Sequence, residues 1–161
     1  MEEYFLQEAI NEAKIAAQKG EVPVGVVIVK DNKIIASGHN VKEHTNDPTN
    51  HAEIVAIRNA TKVIGNWRLS ECDMYVTLEP CTMCAGAIVQ SRIRRLYIGT
   101  FDPKAGGCGS VFNITQSDYL NHWVNVIWMY NEECSDILQQ FFQQKRRRTK
   151  NEWWTKKWGF R

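Results

Sequence analysis

The chain has 161 residues, 43% of them hydrophobic, and a net charge of +2. That length fits one domain with a real core, and no apolar run approaches the roughly 20 residues of a membrane-spanning helix. The N-terminal MEEYFLQEAI is acidic and amphipathic, unlike a secretory leader, so the expected location is the cytoplasm, away from the membrane.

Residues 2–19 are predicted as a helix: Phe5, Leu6, Ala9, Ile10, Ala13, Ala16 and Ala17 recur at helical spacing, and Gly20 follows as a stop. Residues 22–29 read as a strand, Asp31-Asn32 as a turn, and residues 33–37 as the returning strand of a hairpin. Residues 38–48 are expected as a loop, and residues 49–63 as a helix closed by Gly65. A strand over 74–78 leads to Pro80 at the start of another helix, in which Ala85, Gly86 and Ala87 permit close packing. Residues 95–98 form a strand, 102–110 a glycine-rich loop, and 124–128 a last strand. Cys134, Ile137, Leu138, Phe141 and Phe142 mark a final helix by their i, i+3, i+4, i+7, i+8 stripe. No internal repeat is visible. The alternation of helices and strands predicts an α/β sandwich around a mixed sheet.

Charge is unevenly spread. Residues 145–161 hold eight basic and one acidic side chain, a net of +7, while residues 1–144 hold twelve basic and seventeen acidic, a net of −5. A tail opening on Lys145, Arg146, Arg147 and Arg148 either meets a polyanion or is a solvated end.

Five cysteines, an odd number, argue against a disulfide framework in an intracellular chain. Two of them, Cys81 and Cys84, follow Pro80 as a Cys-x-x-Cys pair, and His51-Ala52-Glu53 opens the second long helix. This His-x-Glu and Pro-Cys-x-x-Cys pair of motifs is the signature of zinc deaminases acting on nucleobases. Catalytic zinc takes three protein ligands and keeps a fourth position for water. Neutral His51 with two thiolates gives a shell of zero formal charge, in which bound water ionises near neutral pH. Cys81 and Cys84 lie in one helical turn, and the helix N-terminus favours thiolate over thiol. Glu53 is expected as the proton shuttle rather than a ligand. Residues i and i+2 do not share a helix face, so His51 and Glu53 converge only at a helix tip. Two other readings of the pair stay open: a redox dithiol, and a structural zinc with a fourth ligand among Cys72, Cys108, Cys134, His39, His44 and His122.

With these motifs the chain resembles the cytidine deaminase-like superfamily and, within it, the bacterial tRNA-specific adenosine deaminases. The resemblance runs over residues 20–144. It is carried by Glu21-Val22-Pro23-Val24-Gly25, Asn40, Asp47-Pro48-Thr49-Asn50-His51-Ala52-Glu53, Trp67-Arg68-Leu69, Tyr75-Val76-Thr77-Leu78-Glu79-Pro80-Cys81-Thr82-Met83-Cys84-Ala85-Gly86, residues 102–110, and Asn121-His122. Thr82 stands where the family often has Pro, and Asn50 where it often has Ala; neither removes a ligand.

The resemblance implies a three-layer α/β/α sandwich with a mixed five-stranded sheet, a homodimer, and one zinc per chain on His51, Cys81 and Cys84. It implies hydrolytic deamination of adenosine to inosine at the wobble position of a tRNA anticodon, in an arginine tRNA, by zinc-activated hydroxide with Glu53 as shuttle. Asn40, Val24 and Ala52 are then expected to bind the base, and Asn40 suits an adenine or hypoxanthine edge by its own chemistry. The tRNA anticodon stem-loop is the expected partner, with Lys104, Asn121, His122, Lys145, Arg146, Arg147 and Arg148 as RNA contacts. Residues 1–148 form the deaminase domain and 149–161 a basic tail, where Trp153, Trp154 and Trp158 mix with Lys156, Lys157 and Arg161 to stack on bases or pack on a partner subunit. A free-base or nucleoside deaminase, guanine deaminase above all, is the runner-up, since it shares Asp-Pro-Thr before His-x-Glu. A zinc-stabilised RNA-binding module without catalysis is the third reading.

Overall fold

Val26 and Ile28 turn to one side of their strand, Val27 and Val29 to the other, and all four are buried. A strand patterned in this way needs cover on both faces. The computed structural model describes residues 1–158, and the side chains of these except residues 153–155, 157 and 158. The base-stacking expectation therefore rests on what lies outside the description: the side chains of Trp153, Trp154, Lys157 and Trp158, and the whole of Arg161.

In chain order the elements are α1 (Glu2–Gln18), β1 (Gly25–Lys30), β2 (Lys33–His39), α2 (Lys42–Thr45), α3 (Ala52–Ile64), β3 (Asp73–Leu78), α4 (Thr82–Gln90), β4 (Arg95–Thr100), β5 (Asn125–Trp128) and α5 (Glu132–Trp158). The five strands form one sheet in the order β2-β1-β3-β4-β5. β1 runs antiparallel to β2 and β3, and β3, β4 and β5 are parallel. On one face Val26, Ile28, Met74, Val76, Leu96 and Ile98 pack with Ala52, Ala56 and Ala60 of α3 and Ile88 and Val89 of α4. On the other, Val27, Val29, Tyr75 and Tyr97 pack with Phe5, Leu6 and Ile10 of α1 and Cys134 of α5. This is the expected three-layer sandwich. Each large aliphatic side chain buried in it contributes about 1.5–3 kcal/mol.

Local chemistry sets the element ends. Asp31 and Asn32 both take positive φ, 51° and 60°, the combination a two-residue hairpin turn needs. Gly65 ends α3 in the left-handed conformation. At Gly25 a Cβ would overlap the Ala9 carbonyl, so glycine lets α1 lie against β1 at backbone distance.

Several element boundaries differ from the sequence expectation. β1 starts at Gly25, not residue 22, because Pro23 has no N–H and the Val22 and Val24 carbonyls are taken by Asn40, at 3.0 Å from its side chain and 3.3 Å from its amide. The 38–48 loop holds the end of β2, where His39 pairs with Gly25, and the helical turn α2. The second long helix starts at Ala52 rather than residue 49, since Asp47 Oδ1 accepts from the Thr49 amide at 2.8 Å and hydroxyl at 2.7 Å and holds a turn there. The last helix is longer than its apolar stripe: α5 continues through residue 148 as exposed helix. Among the described residues no helix is long and apolar enough to cross a membrane.

Candidate active site

The two motifs meet because two helices begin side by side. His51 is the N-cap of α3 with extended φ −71° and ψ 156°, and Cys81 is the N-cap of α4 with φ −70° and ψ 177°. Cys84 follows in the first turn of α4. His51 Nδ1 lies 3.7 Å from Cys81 Sγ and 3.5 Å from Cys84 Sγ. The three donor atoms lie within 4.8 Å of one another. On a tetrahedral zinc with ordinary Zn–N and Zn–S bonds, the N···S edges are about 3.6 Å, which the two observed N···S spacings match.

A fourth protein ligand is missing among the described residues. His39 is held by Glu12 at 2.8 Å, His44 by Glu21 at 2.8 Å, and His122 donates to the Ile93 carbonyl at 2.7 Å. Cys72, Cys108 and Cys134 are buried and form no disulfide. Such a three-donor set is the open kind that leaves room for water, and it does not match the closed structural site.

Glu53 sits in the first turn of α3, next to the cluster and 4% exposed. Burial pushes its carboxyl up to about 7, and the nearby Cys81 charge adds to that. The tip geometry lets Glu53 and His51 line the same cleft despite their i, i+2 spacing. Cys81 is drawn down to about 4, chiefly by a hydrogen bond from Cys84, and Cys84 is pushed far up by holding that proton and by burial. The contact with Cys81 raises His51 above its usual value.

The cluster opens into a cleft of about 260 Å³, small for a ligand pocket and suited to one base rather than a whole nucleotide. Val24 and Asn40 line it. Asn40 Oδ1 accepts from the Ala52 amide at 2.8 Å and Nδ2 donates to the Val22 carbonyl. Ala52 itself is fully buried and reaches the cleft only through that bond. Lys145 of α5 lines the cleft too. Arg146, Arg147 and Arg148 are exposed along α5, and Lys104 is exposed on the 102–110 loop. Asn121 and His122 stand elsewhere. They precede β5, whose start pairs with the start of β4, whereas the cysteines follow the end of the parallel strand β3.

Sequence reasoning gave no role to Glu21, Lys42 or Glu79, although all three line the cleft. Nothing local in the sequence marks Glu21 or Glu79, because their partners lie 22 to 31 residues away.

Residues 1–146 match the MafB19-like deaminase family. The chain is 45% identical to a tRNA-specific adenosine deaminase of Bacillus subtilis (strain 168), over 92% of this chain and 93% of the relative. It is 48% identical to one of Aquifex aeolicus (strain VF5), over 89% of this chain and 95% of the relative. Among solved structures it is similar to one from work on A-to-I editing by tRNA:A34 deaminases at the wobble position, with a TM-score of 0.81 and 43% identity, covering 84% of this chain and 99% of that one. A guanine deaminase of Bacillus subtilis is further off, at a TM-score of 0.60 and 32% identity over 90% of this chain and 93% of that one.

Proposed function

The chain belongs to the tRNA-specific adenosine deaminase family, and from that premise we propose that it converts the wobble adenosine of a tRNA anticodon, an arginine tRNA by resemblance, to inosine and ammonia. The observation that carries this reading is the three-donor cluster beside buried Glu53, at a cleft of one-base size, in a chain whose near full-length relatives are tRNA deaminases. Guanine deaminase is the weaker reading, since its likeness in sequence and in backbone is lower.

Zinc on His51 Nδ1, Cys81 Sγ and Cys84 Sγ supplies, when bound, a water acidified to a pKa of about 7. Glu53 takes a proton from water and gives it to N1 of the purine, which makes C6 electrophilic. The hydroxide left by that water bonds to C6; Glu53 then takes the proton of the new C6 hydroxyl and hands it to the amino group as the C6–N bond breaks, so one water is consumed for each ammonia released. Its burial keeps bulk water from competing for that proton. The Ala52 amide orients Asn40 by holding Oδ1, and the Val22 carbonyl takes one Nδ2 hydrogen. The second Nδ2 hydrogen is then free to meet a ring nitrogen of the flipped base. Val24 packs against the base.

Lys42 and Lys145 at the cleft, with Arg146, Arg147, Arg148 and Lys104, meet phosphates of the anticodon stem-loop. A homodimer is supported by exposed Phe101, Phe112, Tyr119, Leu120 and Trp123 on the segment between β4 and β5. Asn121 and His122 on that segment would contact RNA bound across a second copy. Five unpaired thiols suit the reducing cytoplasm. The test is a product assay: purified protein with unmodified arginine tRNA should yield inosine, and with free guanine no xanthine. Xanthine without inosine would reverse the assignment.

A further inference from the structure

Two buried carboxylates line the cleft and take no part in the chemistry above. Glu21 and Glu79 are each 2% exposed. A buried carboxylate is costly unless its lone pairs are filled, so its partners indicate what it does. All four partners of Glu79 come from one loop. Oε1 accepts from the Asp102 amide at 2.9 Å and from the Ser110 hydroxyl, and Oε2 accepts from the Cys108 and Ser110 amides at 3.0 and 3.1 Å. The partners of Glu21 come from one turn: the Glu43 amide at 3.0 Å, the His44 amide at 2.9 Å and His44 Nδ1 at 2.8 Å.

Neither held segment belongs to the five-stranded sheet, and each builds a wall of the cleft. The turn supplies Lys42 and Glu43, and the loop supplies Asp102 and Ala105. The loop is also pressed onto the metal-bearing stretch. Gly107 donates to the Pro80 carbonyl at 2.8 Å, and a Cβ on Gly107 would stand 2.9 Å from the Cys81 carbonyl carbon. A Cβ on Gly106 would run into the Glu79 carboxylate.

We propose that Glu21 and Glu79 are paired positioning residues that fix the two wall segments around a flipped nucleotide, each acting through backbone amides and not by touching the base. The inference rests on the deaminase reading for its substrate. Each of the four carboxylate oxygens accepts at least one backbone N–H. In Glu79→Gln either position of the new NH2 group faces an amide N–H, of Asp102 or of Cys108 and Ser110, and at least one donor is orphaned. The same holds for Glu21→Gln, which faces Glu43 or His44. Wall contacts are made to bound nucleotide before and during reaction alike, so their loss raises KM more than it lowers kcat.

The test compares zinc-loaded full-length wild type, Glu21→Gln and Glu79→Gln. Amide exchange is followed segment by segment, zinc content is measured, and steady-state deamination is run on an anticodon stem-loop. Each variant should speed exchange in its own wall segment only, residues 42–45 or 102–110, and keep its zinc. Each should raise KM about tenfold or more, with kcat changed less than about threefold. Unchanged KM with unchanged local exchange overturns the proposal, and so does faster exchange spread over the whole chain. If Glu79→Gln does not fold, Ser110→Ala removes one donor from the same clamp and should give a smaller KM rise with local exchange at 102–110. A wild type that makes no inosine defeats the deaminase reading, while the exchange pattern still decides whether the clamps exist.

Discussion

The cleft and the far half of α5 handle charge in opposite ways. Around the cleft Glu21, Glu53 and Glu79 are all under 5% exposed. Glu21 and Glu79 are held by defined partners on other segments, and Glu53 lies against the cysteines. Residues 145–150 of α5 are exposed and carry five basic side chains. Buried charge is expensive and so preorganised, and its geometry serves chemistry or shape. Exposed charge is screened and adaptable, and it serves attraction. Substitutions in the two regions should therefore fail differently: in turnover or fold for the cleft, in salt-dependent affinity for the helix.

The largest expected effect is on turnover. Glu53→Ala should keep zinc and tRNA binding and lower kcat by about 10²–10⁴, the worth of a positioned acid–base group. Single-turnover inosine formation checks it, and near-wild-type rates would place the shuttle elsewhere. Next comes Cys81→Ala, which should lose metal, activity and stability together, because the ion would tie the starts of α3 and α4. Metal analysis and thermal melts measure both; an active variant lacking metal would contradict the site.

A third prediction separates burial cost from function. The Glu53 carboxyl is raised from 4.5 to about 7 by burial. A raised carboxyl favours the folded state at low pH: that stability is fully present below pH about 4.5 and is lost as pH rises through about 7. In metal-free protein Glu53→Gln should thus melt above wild type at pH 8, by no more than about 3 kcal/mol, with the gap closing toward pH 5. A gap that widens on acidification would mean Glu53 is ionised and stabilised in the fold.

The smallest effect belongs to the basic helix. Truncation after Gln144 should weaken tRNA binding and flatten its salt dependence by roughly 0.7–0.9 in slope per lost phosphate contact. The chemical step on bound tRNA should change little. Unchanged affinity and slope in a folded, zinc-loaded truncation would make residues 145–161 a solvated end or a partner-facing segment.

The same contrast explains what could be read from sequence. Cys81 and Cys84 share one helical turn, so their three-residue spacing was legible, and the His-x-Glu motif gave the third donor. Hydrophobic alternation gave the layers, since Val26 to Val29 carry it in four residues. The work of Glu79 was not legible. Its partners lie 23, 29 and 31 residues away, and nothing local marks a carboxylate that will be surrounded by amides. The length of α5 was missed for the opposite reason: past residue 145 no apolar face is needed to keep an exposed helix going, so periodicity fell silent. The early end expected for the 38–48 loop failed because the Asp47 and Glu21 carboxylates accept backbone amides there and fold that stretch into turns.

The most direct test of the central claim follows the oxygen. Zinc-loaded protein is incubated in ¹⁸O-water with an anticodon stem-loop carrying adenosine at the wobble position and elsewhere in the loop. The account predicts one ¹⁸O at C6 of a single inosine, at the wobble position, with one ammonia released per inosine. Unchanged adenosine, or deamination of free base in its place, would contradict it.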